Sequence, residues 1–157
     1  MTRRGILAIT LLIFQMGCQE RSKSDIAKIH WDRDMCAKCV MVISDRQNSV
    51  QVRDPKGKTY MFDDIGCMVL WFKENNTTWQ NQAKVWITDL KTSKWIDARK
   101  AFYTKGHVTP MAYGFSAYKT KASIIDKDKK IYLFNQVAEE VLKKEKKLLN
   151  TSIQKSN

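Results

Sequence analysis

The chain has 157 residues, enough for one ordinary domain or two very small ones. A hydrophobic share of 43% permits a packed core, and with only six Gly and two Pro the chain is neither fibrous nor disordered. Its net charge of +12 reads first as solubility, with an anionic lipid surface or an acidic partner as functional alternatives. No nucleic-acid motif accompanies the charge, and no nucleic-acid partner is expected.

Residues 1–18 differ in kind from the rest. Arg3 and Arg4 form a positive start, Gly5–Phe14 is a short apolar run, and Gln15-Met16-Gly17-Cys18 precedes a polar stretch. This is the pattern of a secretory signal, too short for a comfortable membrane span. Its Gly-Cys ending resembles a bacterial lipobox, although Gln15 stands where an aliphatic residue is usual. The expectation is a signal peptide over 1–18 and a lipidated Cys18. That places the protein in the cell envelope, lipid-anchored and facing the periplasm. With Cys18 spent on lipid, Cys36, Cys39 and Cys67 remain, an odd number that argues against a purely structural disulfide framework.

Residues 19–30 are polar, lack periodicity and read as a tether. Folded structure is expected from about Trp31. Val40–Ser44 is a short strand candidate. Ser49–Arg53 and Lys58–Phe62 alternate around the turn signal Asp54-Pro55-Lys56-Gly57, which predicts a β-hairpin. Asp63-Asp64 offers an N-cap, and Ile65, Met68, Val69 and Phe72 recur at helical spacing, so a helix is predicted over about 64–74. Lys84–Thr88, Trp95-Ile96 and Ala101–Thr104 read as extended, and Gly106–Pro110 as a loop. Ser123–Ile125 and Lys130–Phe134 predict a second hairpin around Asp126–Lys129. Asn135 is expected to cap a helix carrying Val137, Val141 and Leu142, then Leu148 and Leu149, with fraying over 150–157.

The two hairpin–helix units align at an offset of 72 residues. Asp54, Lys58, Tyr60 and Phe62 fall on Asp126, Lys130, Tyr132 and Phe134, and Ile65 and Val69 fall on Val137 and Val141. Such self-similarity predicts a duplicated unit. The expected fold class is α+β: two pseudo-repeated ββαβ-type halves, 31–80 and 81–150, packed on each other, then a frayed tail at 151–157. The same offset brings Cys39 onto Met111.

Cys36-Ala37-Lys38-Cys39-Val40-Met41 packs two thiols and a thioether into six residues. A redox pair fits poorly, because the apolar run that follows is strand-like and no helix N-terminus is near to lower a thiol pKa. A zinc site wants four N or S ligands, and the second half would have to come from Cys67, His30 or His107. Cu(I) needs two or three soft donors, which Cys36, Cys39, Met41 and Met111 can supply. Cys67 lies in an apolar stretch and reads as core before ligand, as does Met111 taken alone. Met61 faces away from Tyr60 and Phe62 and is either exposed or aimed at the cysteine loop.

Asp34-Met-Cys-Ala-Lys-Cys-Val-Met41, Tyr60-Met-Phe-Asp-Asp-Ile-Gly-Cys-Met68 and Thr109-Pro-Met-Ala-Tyr-Gly114 together resemble the NosL family of lipoprotein accessory factors for copper-centre assembly in nitrous oxide reductase. Val40 and Ala112 depart from it, standing where the family usually has glycine. Both changes cost backbone freedom and remove no donor atom. The resemblance implies a Cu(I)-binding metallochaperone that is not an enzyme. Its partners would be nitrous oxide reductase and a membrane transporter and maturation complex. The implied fold is similar to that of the organomercurial lyase. Cys36, Cys39, Met41 and Met111 are the expected ligands, with Met61, Cys67 and His107 as secondary candidates. The alternatives are a thiol-based organometal lyase, with Asp34, Asp63 or Asp64 as acid, and a structural zinc domain.

Overall fold

The computed structural model describes residues 25–156; the predicted signal segment and Cys18 lie outside the described residues. The first hairpin forms as its alternation predicts. Strand β1 (Val50–Arg53) pairs antiparallel with β2 (Thr59–Phe62), Val50 opposite Phe62. The turn closes on Asp54, whose backbone N–H donates to Lys58 O and whose carboxylate accepts from Lys58 N. Helix α1 (Ile65–Glu74) follows, capped by Asp64, whose side chain accepts from Gly66 N at 2.6 Å. Strand β3 (Lys84–Thr88) returns to pair with β1, and β4 (Trp95–Asp97) pairs with β3. The first sheet therefore has the order β2-β1-β3-β4. Strand β3, which follows the boundary expected at 80/81, pairs with β1 before it, and β4 pairs only with β3.

A second, three-stranded sheet has the order β6-β5-β7. Its strands are β5 (Phe102–Lys105), β6 (Phe115–Tyr118) and β7 (Ile131–Tyr132). The predicted second hairpin does not form. Lys121–Ser123 makes a 3-10 turn, Ser123 N donating to Thr120 O, and β7 pairs with β5. Strand β6, whose Phe-Ser-Ala-Tyr is buried throughout, was not predicted: with no polar alternation it carries no periodicity signal. The two sheets differ in strand number and order, so the expected duplicated architecture is not seen; Lys58 lies over Tyr60 at 4.9 Å and Lys130 over Tyr132 at 4.7 Å.

Helix α2 (Phe134–Ser156) starts one residue before its predicted cap. Gln136 does the capping, its side chain accepting from Leu133 N at 2.8 Å. The helix continues through the residues expected to fray. Val137 and Val141 are buried, whereas Leu148 and Leu149 are more than half exposed. Residues 25–30, read as tether, lie against the first sheet. Asp25 pairs with Arg53 and Lys84, the Ala27 backbone exchanges two hydrogen bonds with the Gln51 side chain, and Ile29 is buried.

The two sheets join through a parallel bridge between Asp89 and Ala117, Leu90 N donating to Ala117 O. Ser116 Oγ donates to the buried Asn48 Oδ1 at 2.9 Å. Phe62, Ile65, Met68, Ile87, Tyr103 and Phe115 fill the core between sheets and helices. No helix among the described residues is long and apolar enough to cross a membrane.

Candidate metal centre

Cys36 and Cys39 stand on a tight loop. Cys36 N donates to Met41 O at 2.8 Å, Val40 N to Cys36 O at 3.0 Å, and Met35 bridges Val42. The strand expected at 40–44 is reduced to that single bridge. The turn requires Val40 at φ +61°, a left-handed conformation that a β-branched residue rarely adopts. The loop is pinned from outside by Ala37 N on Met61 O, and by Lys38 on Glu74 at 3.0 Å.

Opposite the loop is the head of α1. Asp63 precedes the extended cap residue Asp64, and Cys67 lies in the first turn of the helix. One ligand atom each from Cys36, Cys39, Asp63 and Cys67 lie within 4.8 Å of one another. Cys36, Asp63 and Cys67 are buried and Cys39 is half-buried. The Cys67 thiol, as hydrogen-bond donor to Cys36, holds the Cys36 thiol down to about 6 from an ordinary 9.0. That same bond to Cys36, with burial, pushes Cys67 strongly up. Burial raises Cys39 to about 11. Cys39 Sγ donates to Asp63 Oδ2 at 3.4 Å. Asp63 Oδ1 is buried with no hydrogen-bond partner in the protein. A buried orphan carboxylate oxygen is costly, and a cation beside it would satisfy it.

Asp64 performs a separate task. Its Oδ1 caps α1, and its Oδ2 accepts from Thr109 Oγ1 at 2.6 Å and Met111 N at 3.4 Å. Burial raises its carboxyl above the usual range. The loop it holds also presses on Gly66, where a Cβ would lie 2.0 Å from the Tyr113 ring; only glycine admits that approach. The neighbouring carboxylates thus receive different loops. Asp63 takes the cysteine loop and Asp64 takes the Met111 loop.

A family model for NosL matches residues 28–141, most of the described chain. The chain belongs to the NosL family. The crystal structure of the copper chaperone NosL from Shewanella denitrificans matches with a TM-score of 0.59 at 18% identity, over 73% of this chain and 96% of that one. The likeness is one of fold: a mixed α/β body of two sheets and two helices. No curated protein sequence matches.

Within this NosL fold the residues singled out from sequence have different fates. Cys36, Cys39 and Cys67 meet, Cys67 being both deeply buried and part of the cluster. Met111 and Met61 are half-buried and pack against the core, whereas Met41 is 53% exposed. His107 is held elsewhere, its Nε2 2.7 Å from Thr104 Oγ1 and its ring against Tyr118. Burial, with Lys129 nearby, lowers its pKa. Asp63 is the member that sequence reasoning treated only as cap or acid.

Proposed function

We propose that this chain is a non-enzymatic Cu(I) carrier, anchored to the membrane, that delivers copper for assembly of the copper centres of nitrous oxide reductase. The observation that carries the reading is the convergence of three thiols and one orphaned carboxylate within 4.8 Å, in a member of the NosL family. A sulfur-rich donor set suits Cu(I), and the carboxylate offsets its charge. The ion is cargo, so an open side matters. Cys39 is the half-buried thiol, and Met41 beside it is exposed, so an incoming sulfur can reach copper there and displace a donor. Met61, whose carbonyl accepts from Ala37 N of the cysteine loop, and Met111, whose N–H donates to Asp64, are further candidate soft donors. The 72-residue offset between Cys39 and Met111 supports reading their loops as related.

The solved relative's description as a copper chaperone supports carriage over catalysis, and carriage requires a copper acceptor. Nitrous oxide reductase and the periplasmic part of its transporter complex are the acceptors the family resemblance implies. The signal pattern ending at Cys18 supports an envelope location. Cys18→Ser should yield unprocessed or soluble protein; mature protein with a free Cys18 in the soluble periplasmic fraction would overturn the anchor.

Zinc is the second reading, favoured by the count of four donors around one point. Titration against a chromophoric Cu(I) chelator separates the two. The expected result is one Cu(I) per chain, retained on desalting, with weak Zn(II) binding and sulfur neighbours at the copper K-edge. A tight Zn(II) complex ligated by both Cys36 and Cys39 sinks the copper assignment. Methane release from methylmercury would favour the lyase alternative.

A further inference from the structure

We propose that the groove between α1 and α2 is a docking site for an acidic amphipathic helix of a partner protein. Met68, Val69 and Phe72 of α1 and Phe134, Ala138 and Leu142 of α2 line a cavity of about 570 Å³. A second cavity, of about 490 Å³, shares Lys73 and Leu142 with the first and extends it to Leu149. Along α2 the lining follows one helical stripe, Ala138, Leu142, Lys146 and Leu149, at spacings of four, four and three. From Phe134 to Leu149 the groove runs roughly 22 Å at about 1.5 Å per residue, the length of a four-turn helix.

The rim sets the charge of the occupant. Lys73, Arg99, Lys143 and Lys146 border the groove, against the single acid Glu139. Lys73 and Lys146 have no ion-pair partner among the described residues, and Lys143 is 82% exposed with Glu140 at 3.8 Å. An apolar floor with a cationic rim is complementary to a helix bearing a leucine-type stripe flanked by carboxylates. A second copy would bring the same cationic face and repel. A flat anionic bilayer meets the protruding Leu148 and Leu149 but cannot fill a floor that reaches buried Phe72 and Met68.

Helix α2 also reaches the Met111 loop. Lys144 donates to Ala112 O and Tyr113 donates to Glu145, so the helix that lines the groove also braces the Met111 loop. The docking surface stands whether or not copper is the cargo, and its test uses metal-free protein.

The probe is a labelled helical peptide of about 15 residues, with a leucine stripe flanked by glutamates, followed by fluorescence anisotropy. Binding should be at least ~10-fold tighter than for a scrambled peptide of equal charge, and should weaken with salt. Lys73→Glu with Lys146→Glu should weaken it at least ~10-fold, and Leu149→Ser should erase the preference over the scrambled peptide. Lys91→Glu with Lys127→Glu, away from the groove, should leave it unchanged. All these side chains are exposed, and circular dichroism checks the fold. Equal binding of both peptides overturns the proposal in favour of bare charge attraction. Binding to phosphatidylglycerol vesicles without discrimination between peptides overturns it in favour of a membrane. Self-association through this face in sedimentation overturns it in favour of a second copy.

Discussion

The cysteine loop and the Met111 loop each hold one residue in a left-handed conformation, close through different hydrogen bonds, Val40 N on Cys36 O and Ala112 N on Thr109 O, and bring different donors. Val40 at φ +61° and Ala112 at φ +55° are separated by the same 72 residues as Cys39 and Met111. In each, the sulfur residue precedes a left-handed position. Both loops land on the head of α1, one on Asp63 and one on Asp64. The first brings thiols into a buried cluster; the second brings a backbone amide, a threonine hydroxyl and a half-buried thioether. One carboxylate keeps an oxygen unpartnered, while the other has both engaged. Identical residue types side by side are thus divided between a donor role and a structural one.

The widest expected gap between the loops is in metal affinity. Cys36→Ser, Cys39→Ser and Cys67→Ser should each weaken Cu(I) by about 100-fold or more, roughly 2.7 kcal/mol, and Met111→Leu by about 10-fold. The leucine conserves volume, so folding should lose under about 1.5 kcal/mol. Cys39→Ser with Met111→Leu should lose less than the sum if both bind one ion. Competition titration of each variant reads this. An unchanged affinity for Met111→Leu confines the site to the cysteine loop and α1.

The paired carboxylates should separate in the opposite sense. Asp64→Ala removes a cap and orphans Thr109, so urea unfolding should show a loss of about 2–3 kcal/mol. Asp63→Asn should cost much less stability and yet weaken the metal. If Asp63→Asn is the more destabilising of the two, the division of labour is wrong.

Much of the first sheet was legible because its strands alternate and its turn is spelled Asp-Pro-Lys-Gly. The second sheet was not. Its β6 is apolar and polar without period, and β7 is two residues whose partner is chosen by tertiary packing against β5. For the centre, the CxxC loop was visible from spacing, and Cys67 was ambiguous because burial and ligation do not exclude one another. Asp63 was hidden by its neighbour: an Asp-Asp pair before a helix reads as a cap, and sequence does not say which of the two is free. The two positions where the family usually has glycine, Val40 and Ala112, are both left-handed, which was legible in the sequence only as a cost in backbone freedom.

Acidity should distinguish thiols within the cysteine loop itself. Cys36 is held down to about 6 and Cys39 raised to about 11. In metal-free protein, thiolate absorbance near 240 nm, taken as the difference from Cys36→Ser, should rise around pH 6. Cys67→Ala removes the donor and should move that midpoint up toward the ordinary 9.0. Below pH 6 Cys36 is protonated folded and unfolded, and above 9 it is ionised in both states. Between the two only the folded chain has lost the proton, so stability should climb with pH across that window. Above pH 9 the trend reverses, because Cys39 and Cys67 keep protons that the unfolded chain gives up. A stability profile flat from pH 6 to 9 would contradict the thiolate at Cys36.

The smallest expected effect tests the two left-handed positions directly. A left-handed backbone costs an ordinary residue about 1–2 kcal/mol, and glycine nothing, while glycine in place of alanine adds about 0.5–1 kcal/mol of unfolded-state entropy. Val40 is 64% exposed, and Ala112 is exposed, so little packing is lost at either site. Val40→Gly should therefore stabilise by up to about 1 kcal/mol, the β-branch being the worse tenant, and Ala112→Gly by less. The sites lie on different loops and share no hydrogen bond, so the double variant should be near the sum. Urea unfolding with an unchanged slope reads both. Relief at Val40 without any at Ala112 would mean that the Met111 loop owes its turn to Asp64, Tyr113 and Lys144, which hold Ala112 in place whatever residue stands there.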